Sequence, residues 1–378
     1  MNTDMNTHMN PAMNTAMNTG MNTGMNRPIR VLVVDDSALV RETLVRGLAA
    51  APDIEVVGEA RDPFQARDLL VTLRPDVITL DVEMPRMDGL TFLRRLMAVL
   101  PTPTIVVSSL TTMGSPLAID ALDAGAVDVI AKPASQVKDG LEKMLQTLVQ
   151  QIRVAAGTRV DRRVGPIEMP AAVPLHQTTD AVIGIGASTG GVAALGKILP
   201  AFGAFTPGIV VVQHMPAGFS ADFARRLDGQ CAMRVVEAKD GDRVLSGHMF
   251  IAPGGDRHTE VHRSGGVYRI VLVDGPPVSG HAPSVDALFR SLARHVVRNA
   301  IGCLLTGMGE DGARGLLELR QAGGRTLVQD KETCAVWGMP AAAVHLGAAD
   351  QVLPLEQLPR AVLASVTHHA EPGATRAP

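Results

Sequence analysis

Residues 181–192 read Ala181-Val-Ile-Gly184-Ile-Gly186-Ala-Ser188-Thr-Gly190-Gly191-Val192. The apolar run at its start has the length and composition of a buried strand, the glycines mark a sharp turn, and Val192 opens a helical period. Ser188 sits at the turn. Gly186, Gly190 and Gly191 crowd it, and glycines so spaced let a backbone bend hard enough to present a hydroxyl at the edge of a sheet. Three readings are open: a nucleophilic serine on a G-x-S-x-G elbow, a phosphate cradle on Gly184-x-Gly186-x-x-x-Gly190 at a helix N-terminus, and a tight turn without chemistry. All three share a strand, a turn and a helix, the repeating unit of an α/β fold.

Toward the C-terminus the alternation continues. A helix over 192–199 precedes a strand over 209–212, and His214 follows that strand at once. A helix over 220–227 comes next, then an antiparallel pair within 256–274 about Ser264-Gly265-Gly266, a helix over 284–297 and a strand over 300–305. The last of these runs into Thr306-Gly307-Met308-Gly309-Glu310-Asp311-Gly312, which opens another helix. Ser188, His214 and Asp311 therefore each lie past the carboxyl end of an apolar strand, where they can meet in space.

A dinucleotide fold wants an acidic residue about 20 residues beyond the glycine turn, after the second strand, to hold ribose hydroxyls. That place holds Gln213-His214. A histidine there suits a general base for Ser188, with a buried Asp311 carboxylate fixing its tautomer and stabilising the imidazolium. Taken singly, a rim histidine is usually a satisfied surface residue and an Asp-Gly pair a helix cap. The chain order Ser, His, Asp sets the protein apart from conventional lipases and esterases, which run Ser, Asp, His. Backbone amides of Thr189, after the serine, or of Met308 could face a tetrahedral oxyanion. His258 and His262 would pair on a helix as zinc ligands, but on the strand expected here they stand about 13 Å apart, at roughly 3.3 Å per residue.

Toward the N-terminus, from Pro28, five strand-helix units follow one another: strands at 29–34, 55–60, 77–80, 104–107 and 127–130, helices at 37–50, 63–73, 90–99, 116–124 and 141–152. Near-continuous Val/Ile/Leu strands between helical periods predict a doubly wound parallel sheet. Its suggestive polar residues all fall at carboxyl ends: Asp35 and Asp36, Asp81, Ser108 and Ser109, and Lys132 before Pro133. One such Asp would be an ordinary helix cap. Three carboxylates on one rim repel unless a cation neutralises them, and an all-oxygen set suits Mg²⁺. The chemistry that fits is phosphoryl transfer to Asp81, with Mg²⁺ held by Asp35, Asp36 and Asp81, Lys132 pairing a phosphate oxygen and Ser108 reporting its arrival.

Outside these two halves the pattern fails. Residues 1–27 repeat Met-Asn-Thr and are expected to be disordered low complexity, a soft-metal methionine tract being the sharper alternative. Residues 153–178 gather Arg, Gly, Pro and Ala as a linker, and 368–378 form a flexible tail. The net charge of −3, from 35 basic and 38 acidic residues, and the aromatic content of 3% give no nucleic-acid footprint. No segment is apolar enough for export or membrane insertion, and three scattered cysteines (Cys231, Cys303, Cys334) suit a reducing, cytoplasmic setting.

Two resemblances emerge from these motifs. Residues 28–152 resemble a response-regulator receiver domain through VLVVDDS (31–37), LDVEMPRMDG (80–89), the serines 108–109 and AKP (131–133), with Val129 where many receivers carry an aromatic residue. Residues 179–367 resemble the catalytic domain of the chemotaxis protein-glutamate methylesterases through IGIGASTGG (183–191), VVQHMPAGF (211–219), IAPGG (251–255), DGPPV (274–278), HAPSVDALF (281–289), LLTGMGEDGARG (304–315) and VWGMP (336–340); Glu310 stands where many relatives have Asn. The resemblance implies an α/β catalytic domain in which Ser188 is the nucleophile, His214 the base and Asp311 its partner. It implies hydrolysis of γ-glutamyl methyl esters, and deamidation of glutamines, on methyl-accepting chemotaxis receptors. It also implies a chemotaxis histidine kinase as phosphodonor; from the domain order we expect an unphosphorylated receiver to lie over the Ser188 cleft and phosphorylated Asp81 to shift the pair toward an open arrangement. A catalytically silent, phosphorylation-controlled binding module is the rival reading.

Overall fold

A computed structural model describes residues 27–109, 116–133, 138–158 and 180–367. The Met-Asn-Thr extension, most of the expected linker and the expected tail lie outside the described residues. The first unit is β1 (Ile29–Val34), α1 (Ala38–Leu48), β2 (Ile54–Ala60), α2 (Pro63–Leu73), β3 (Val77–Leu80), α3 (Gly89–Val99), β4 (Thr104–Ser108), α4 (Pro116–Ala124), β5 (Asp128–Ala131) and α5 (Lys138–Ala156). Helix α5 runs four residues past the point where the sequence loses its apolar period, and Arg153 in that extension pairs with Asp53 at 2.8 Å.

The strand order is β2-β1-β3-β4-β5, all parallel. Alternate residues of each strand feed opposite cores. Leu32, Val34, Ile78 and Leu80 pack with α2, α3 and α4, while Val31, Val33, Val77 and Ile105 pack with α1 and α5. Strand order reverses between β1 and β3, and a crevice opens beyond their carboxyl ends.

The second unit is β6 (Val182–Ala187), α6 (Gly191–Ile198), β7 (Gly208–Gln213), α7 (Phe219–Asp228), β8 (Arg234–Glu237), β9 (His248–Ile251), β10 (Arg257–Ser264), β11 (Val267–Asp274), α8 (Val285–His295), β12 (Ala300–Leu304), α9 (Ala313–Gln321), β13 (Arg325–Gln329), α10 (Met339–His345), β14 (Gln351–Leu353) and α11 (Leu358–Thr367). Its parallel sheet has the order β14-β13-β12-β6-β7-β9-β8, and β10 pairs antiparallel with β11 as a separate hairpin. Ile183, Ile185 and Val211 face α6, α7 and α11; Val182, Val210 and Val212 face α8, α9 and the hairpin.

Strands β8, β9, β13 and β14 are not signalled by the sequence. They are three to five residues long, and Arg234, Glu237, His248, Arg325 and Gln351 interrupt their apolar character. Two glycines of β6 have a packing reason separate from the turn. A Cβ at Gly184 would stand 2.5 Å from Leu292, and one at Gly186 would overlap Val285. Both neighbours belong to α8, so these glycines let that helix lie close on the sheet. The order reverses again between β6 and β12, which places the second crevice at the tips of those strands.

Candidate active site and receiver site

Ser188 stands one residue past β6 and is half-buried. Three bonds lock its backbone. Its amide donates to the Thr306 carbonyl at 3.0 Å, and its own carbonyl accepts from the Gly191 amide at 2.7 Å and from Gln213 Nε2 at 2.9 Å. The His214 amide donates to Ala187 at 3.1 Å and ties the end of β7 to that of β6. In the sequence Gln213 is notable only for not being acidic. The structure makes it the brace of the serine turn, a role hidden in the sequence because it depends on β7 lying beside β6.

His214 Nε2 lies 2.8 Å from Asp311 Oδ2, and the His214 side chain is 9% exposed. Asp311 is itself 1% exposed. Its Oδ1 accepts from Ser284 Oγ at 2.7 Å and from the Asp286 amide at 3.1 Å; its Oδ2 accepts from the Val285 amide at 2.7 Å. Burial pushes its carboxyl upward, but the bond and charge of His214, the Ser284 hydroxyl and the Val285 amide outweigh that and hold it below the usual carboxylate range. The two amides form the first turn of α8, so the carboxylate also meets the positive end of a helix.

An ionised carboxylate only accepts, so His214 Nε2 carries a proton. Its Nδ1 is then the basic nitrogen, and it is buried without a protein partner. The ring stacks on His281 at 3.8 Å between centroids, 12° from parallel. Burial first, and then the neighbouring His214, push the His281 pKa down. In the sequence His281 stands only as the first residue of HAPSVDALF (281–289), since stacking across 67 positions leaves no local signal.

On the other side of Ser188 runs the turn after β12. A Cβ at Gly307 would stand 2.8 Å from the Ser188 Cβ. The Met308 amide follows directly, and Thr189 adjoins the serine with its carbonyl accepting from Thr306 Oγ1 at 3.0 Å. Of the suspected zinc pair, both histidines lie on β10, as the strand reading requires. His258 is buried and bonded to the backbone, and His262 pairs with Glu260 at 2.6 Å.

At the first crevice, Asp35 and Asp36 follow β1 and Asp81 follows β3. Carboxylate oxygens of the three lie within 4.8 Å of one another. Lys132 Nζ bridges Asp35 and Asp81, at 2.7 Å from each. Burial works against this ammonium, but its bonds to the two carboxylates outweigh it and raise its pKa. Burial likewise raises that of Asp81 despite Lys132. Ser108 is fully buried at the end of β4, and Ser109 donates to Glu83 at 2.6 Å. An oxygen-only triad with one face open to solvent through Asp36 fits a hard divalent cation.

The two crevices belong to units that touch. Helix α4 packs against α6 and α7, and Ile119 of α4 joins the apolar core of the second unit. Arg226 of α7 donates to Asp120 at 2.8 Å and also pairs with Asp123. Between the units lies a cavity of about 380 Å³, lined by Ile119, Val129 and Gln151 on one side and by Ser188, His214 and His281 on the other. No helix among the described residues is long and apolar enough to cross a membrane.

Comparison with known proteins agrees with both halves. Residues 31–146 match the response regulator receiver domain family, and residues 183–362 match the CheB methylesterase family. A protein-glutamate methylesterase/protein-glutamine glutaminase of Syntrophotalea carbinolica is 52% identical over 347 residues, covering 89% of this chain and 97% of that protein. Protein-glutamate methylesterase/protein-glutamine glutaminase 2 of Pseudomonas aeruginosa is 52% identical over 338 residues, with 89% and 96% covered. The crystal structure of the Thermotoga maritima CheB methylesterase catalytic domain is 37% identical, covers 50% of this chain and 99% of that one, and superposes with a TM-score of 0.48.

Proposed function

This chain belongs to the protein-glutamate methylesterase/protein-glutamine glutaminase family, and from that premise we propose that Ser188 is its nucleophile, His214 its general base and Asp311 the carboxylate that orients the base. The protein is a receiver-regulated hydrolase of protein-borne glutamyl methyl esters. The observation that carries the residue assignment is the His214–Asp311 pair, at 2.8 Å, with a buried, bare Nδ1 left over beside the serine turn.

In this reading, Nδ1 takes the Ser188 proton as Oγ bonds to the γ-carbonyl carbon. The carbonyl oxygen becomes an oxyanion facing the Thr189 and Met308 amides. When the tetrahedral centre collapses, the imidazolium returns its proton to the leaving oxygen and methanol departs; for a glutamine substrate the leaving group is ammonia. Water, deprotonated by the same nitrogen, then cleaves the glutamyl-serine ester and restores Ser188. The substrates are chemoreceptors, and we assign them as the methylated cytoplasmic helices of methyl-accepting chemotaxis receptors.

Control begins at Asp81, the phosphoryl acceptor, with a chemotaxis histidine kinase as donor. Asp35, Asp36 and Asp81 would hold Mg²⁺, which neutralises charge on the incoming phosphoryl group when bound. Lys132 would exchange one carboxylate for a phosphate oxygen, and Ser108 would follow. In this reading the arrangement with α4 against α6 and α7 is the covered state, in which the receiver restricts the approach of a receptor helix to Ser188. Phosphorylation shifts the pair toward an open one.

The test is methanol release from methylated receptor membranes by the parent and by Ser188→Ala, with and without a small phosphodonor and Mg²⁺. Release by the parent that rises with phosphodonor and is lost in the variant is the expected result. Equal release by both proteins would remove Ser188 from the reaction.

A further inference from the structure

Behind Asp311 runs a hydrogen-bonded series that no step above uses. Ser284 is fully buried and caps α8, accepting from the Ala287 amide at 3.3 Å. Its hydroxyl has one proton, and that proton is directed at Asp311 Oδ1, 2.7 Å away. The Ser284 amide donates to His258 Nδ1 at 3.2 Å, and His258 Nε2 lies 3.1 Å from the Pro276 carbonyl. A carbonyl only accepts, so Nε2 holds the His258 proton and Nδ1 is bare. His258 is 4% exposed. Both of its nitrogens are thus satisfied in one tautomer only, the one that fixes the Ser284 backbone.

We infer that Ser284 and His258 are positioning residues for the esterase, holding Asp311 at the angle from which it aligns His214. The inference rests on the assignment of Ser188, His214 and Asp311 made above. A carboxylate has about four acceptor positions. Those of Asp311 are taken by Ser284 Oγ, the amides of Val285 and Asp286, and His214. Apart from His214 itself, the Ser284 hydroxyl is the side-chain donor of that set, and it binds the oxygen that His214 does not. Without it the carboxylate keeps its charge but gains freedom to turn about its last torsion. His214 then loses alignment in the transition state, where alignment matters most.

Capping and positioning ask different things of residue 284, and this separates them. A cap needs an acceptor, and Gly in its place costs only a few tenths of a kcal/mol; Asp311 needs a donor. Ser284→Gly therefore nearly keeps the helix and loses the donor, whereas Ser284→Thr keeps both. At position 258, Asn places an oxygen where Nδ1 accepts from Ser284, while Gln leaves that point empty.

The experiment measures kcat, KM and thermal midpoint for the full-length parent and these four variants, using methylated receptor membranes with saturating phosphodonor. Ser284→Gly should lose about tenfold or more in kcat, the size of a lost hydrogen bond to a charged group, with KM within about twofold; the same lost bond lowers the midpoint by a few degrees, with the fold retained. Ser284→Thr and His258→Asn should stay near the parent, and His258→Gln should follow Ser284→Gly. The low-field proton resonance of His214 Nε2–H, read without turnover, should move in Ser284→Gly and hold in Ser284→Thr. Parent-like kcat in Ser284→Gly, or equal losses in Gly and Thr, would overturn the inference. A parent that releases no methanol would overturn the esterase reading itself, before any variant is compared.

Discussion

Asp311 shows how far a single side chain depends on its surroundings. Burial by itself raises its pKa; His214, Ser284 and the first turn of α8 outweigh that and hold it below the usual carboxylate range. Asp311→Asn keeps the shape and reverses one bond, since an amide nitrogen can donate to His214 Nε2 and drive the imidazole proton onto Nδ1. On the proposed assignment of His214 as base, that base is then lost, and kcat should fall about 10³-fold or more, with little change in KM for the receptor. Asp128 is the opposite case. It lines the cavity between the units, and burial pushes its carboxyl up to about 6. Its folded pKa lies above the unfolded one, so the native state binds more protons between about pH 4 and 6, and stability on its account falls as pH rises through that window. Asp128→Asn should flatten this slope: its gain in thermal midpoint over the parent should grow from pH 4 to 6 and then level off. A gain independent of pH would show that the carboxyl titrates normally.

Elements set what residues cannot. The turn after β6 faces the crevice because β12 and β7 flank β6, and α8 reaches Asp311 because Gly184 and Gly186 let it approach. In the receiver, α3 starts at Gly89 directly against the β3 tip, where a Cβ would overlap the carbonyl oxygen of Asp81. Backbone there cannot step aside as a side-chain end could. Gly89→Ala should therefore displace Asp81, cost about 1–3 kcal/mol in receiver stability, and remove phosphodonor stimulation while leaving basal methanol release in place. Denaturant unfolding together with paired release assays would check both parts.

At the scale of the whole molecule, the Arg226 guanidinium spans the two units. Arg226 pairs with Asp120 and Asp123 on α4, next to Ile119 in the shared apolar contact. Partly buried and two-pronged, this contact is worth more than an isolated surface pair. Arg226→Ala should raise methanol release in the absence of phosphodonor severalfold, toward the stimulated rate, and leave the stimulated rate unchanged because Arg226 is no part of the Ser188 site. Unchanged basal release would mean that the apolar contact alone keeps the receiver in place. The same closure predicts that raised ionic strength mimics Arg226→Ala in the parent, since salt screens a half-exposed pair.

The sequence by itself determined the strand-turn-helix rhythm of both units, the polar residues at the tips of their strands, and the identities of Ser188, His214, Asp311 and Asp81 as candidates. Those are local signals: an apolar period, a glycine turn, an acid after a strand. Only the tertiary structure decided which nitrogen of His214 is basic, that Gln213 braces the serine turn, that Ser284 and His258 stand behind Asp311, and that α4 packs against α6 and α7 beside the crevice. Each of these depends on a contact between residues dozens of positions apart. Such pairings become fixed only when the sheet order, β12 beside β6 and β6 beside β7, brings their strands together.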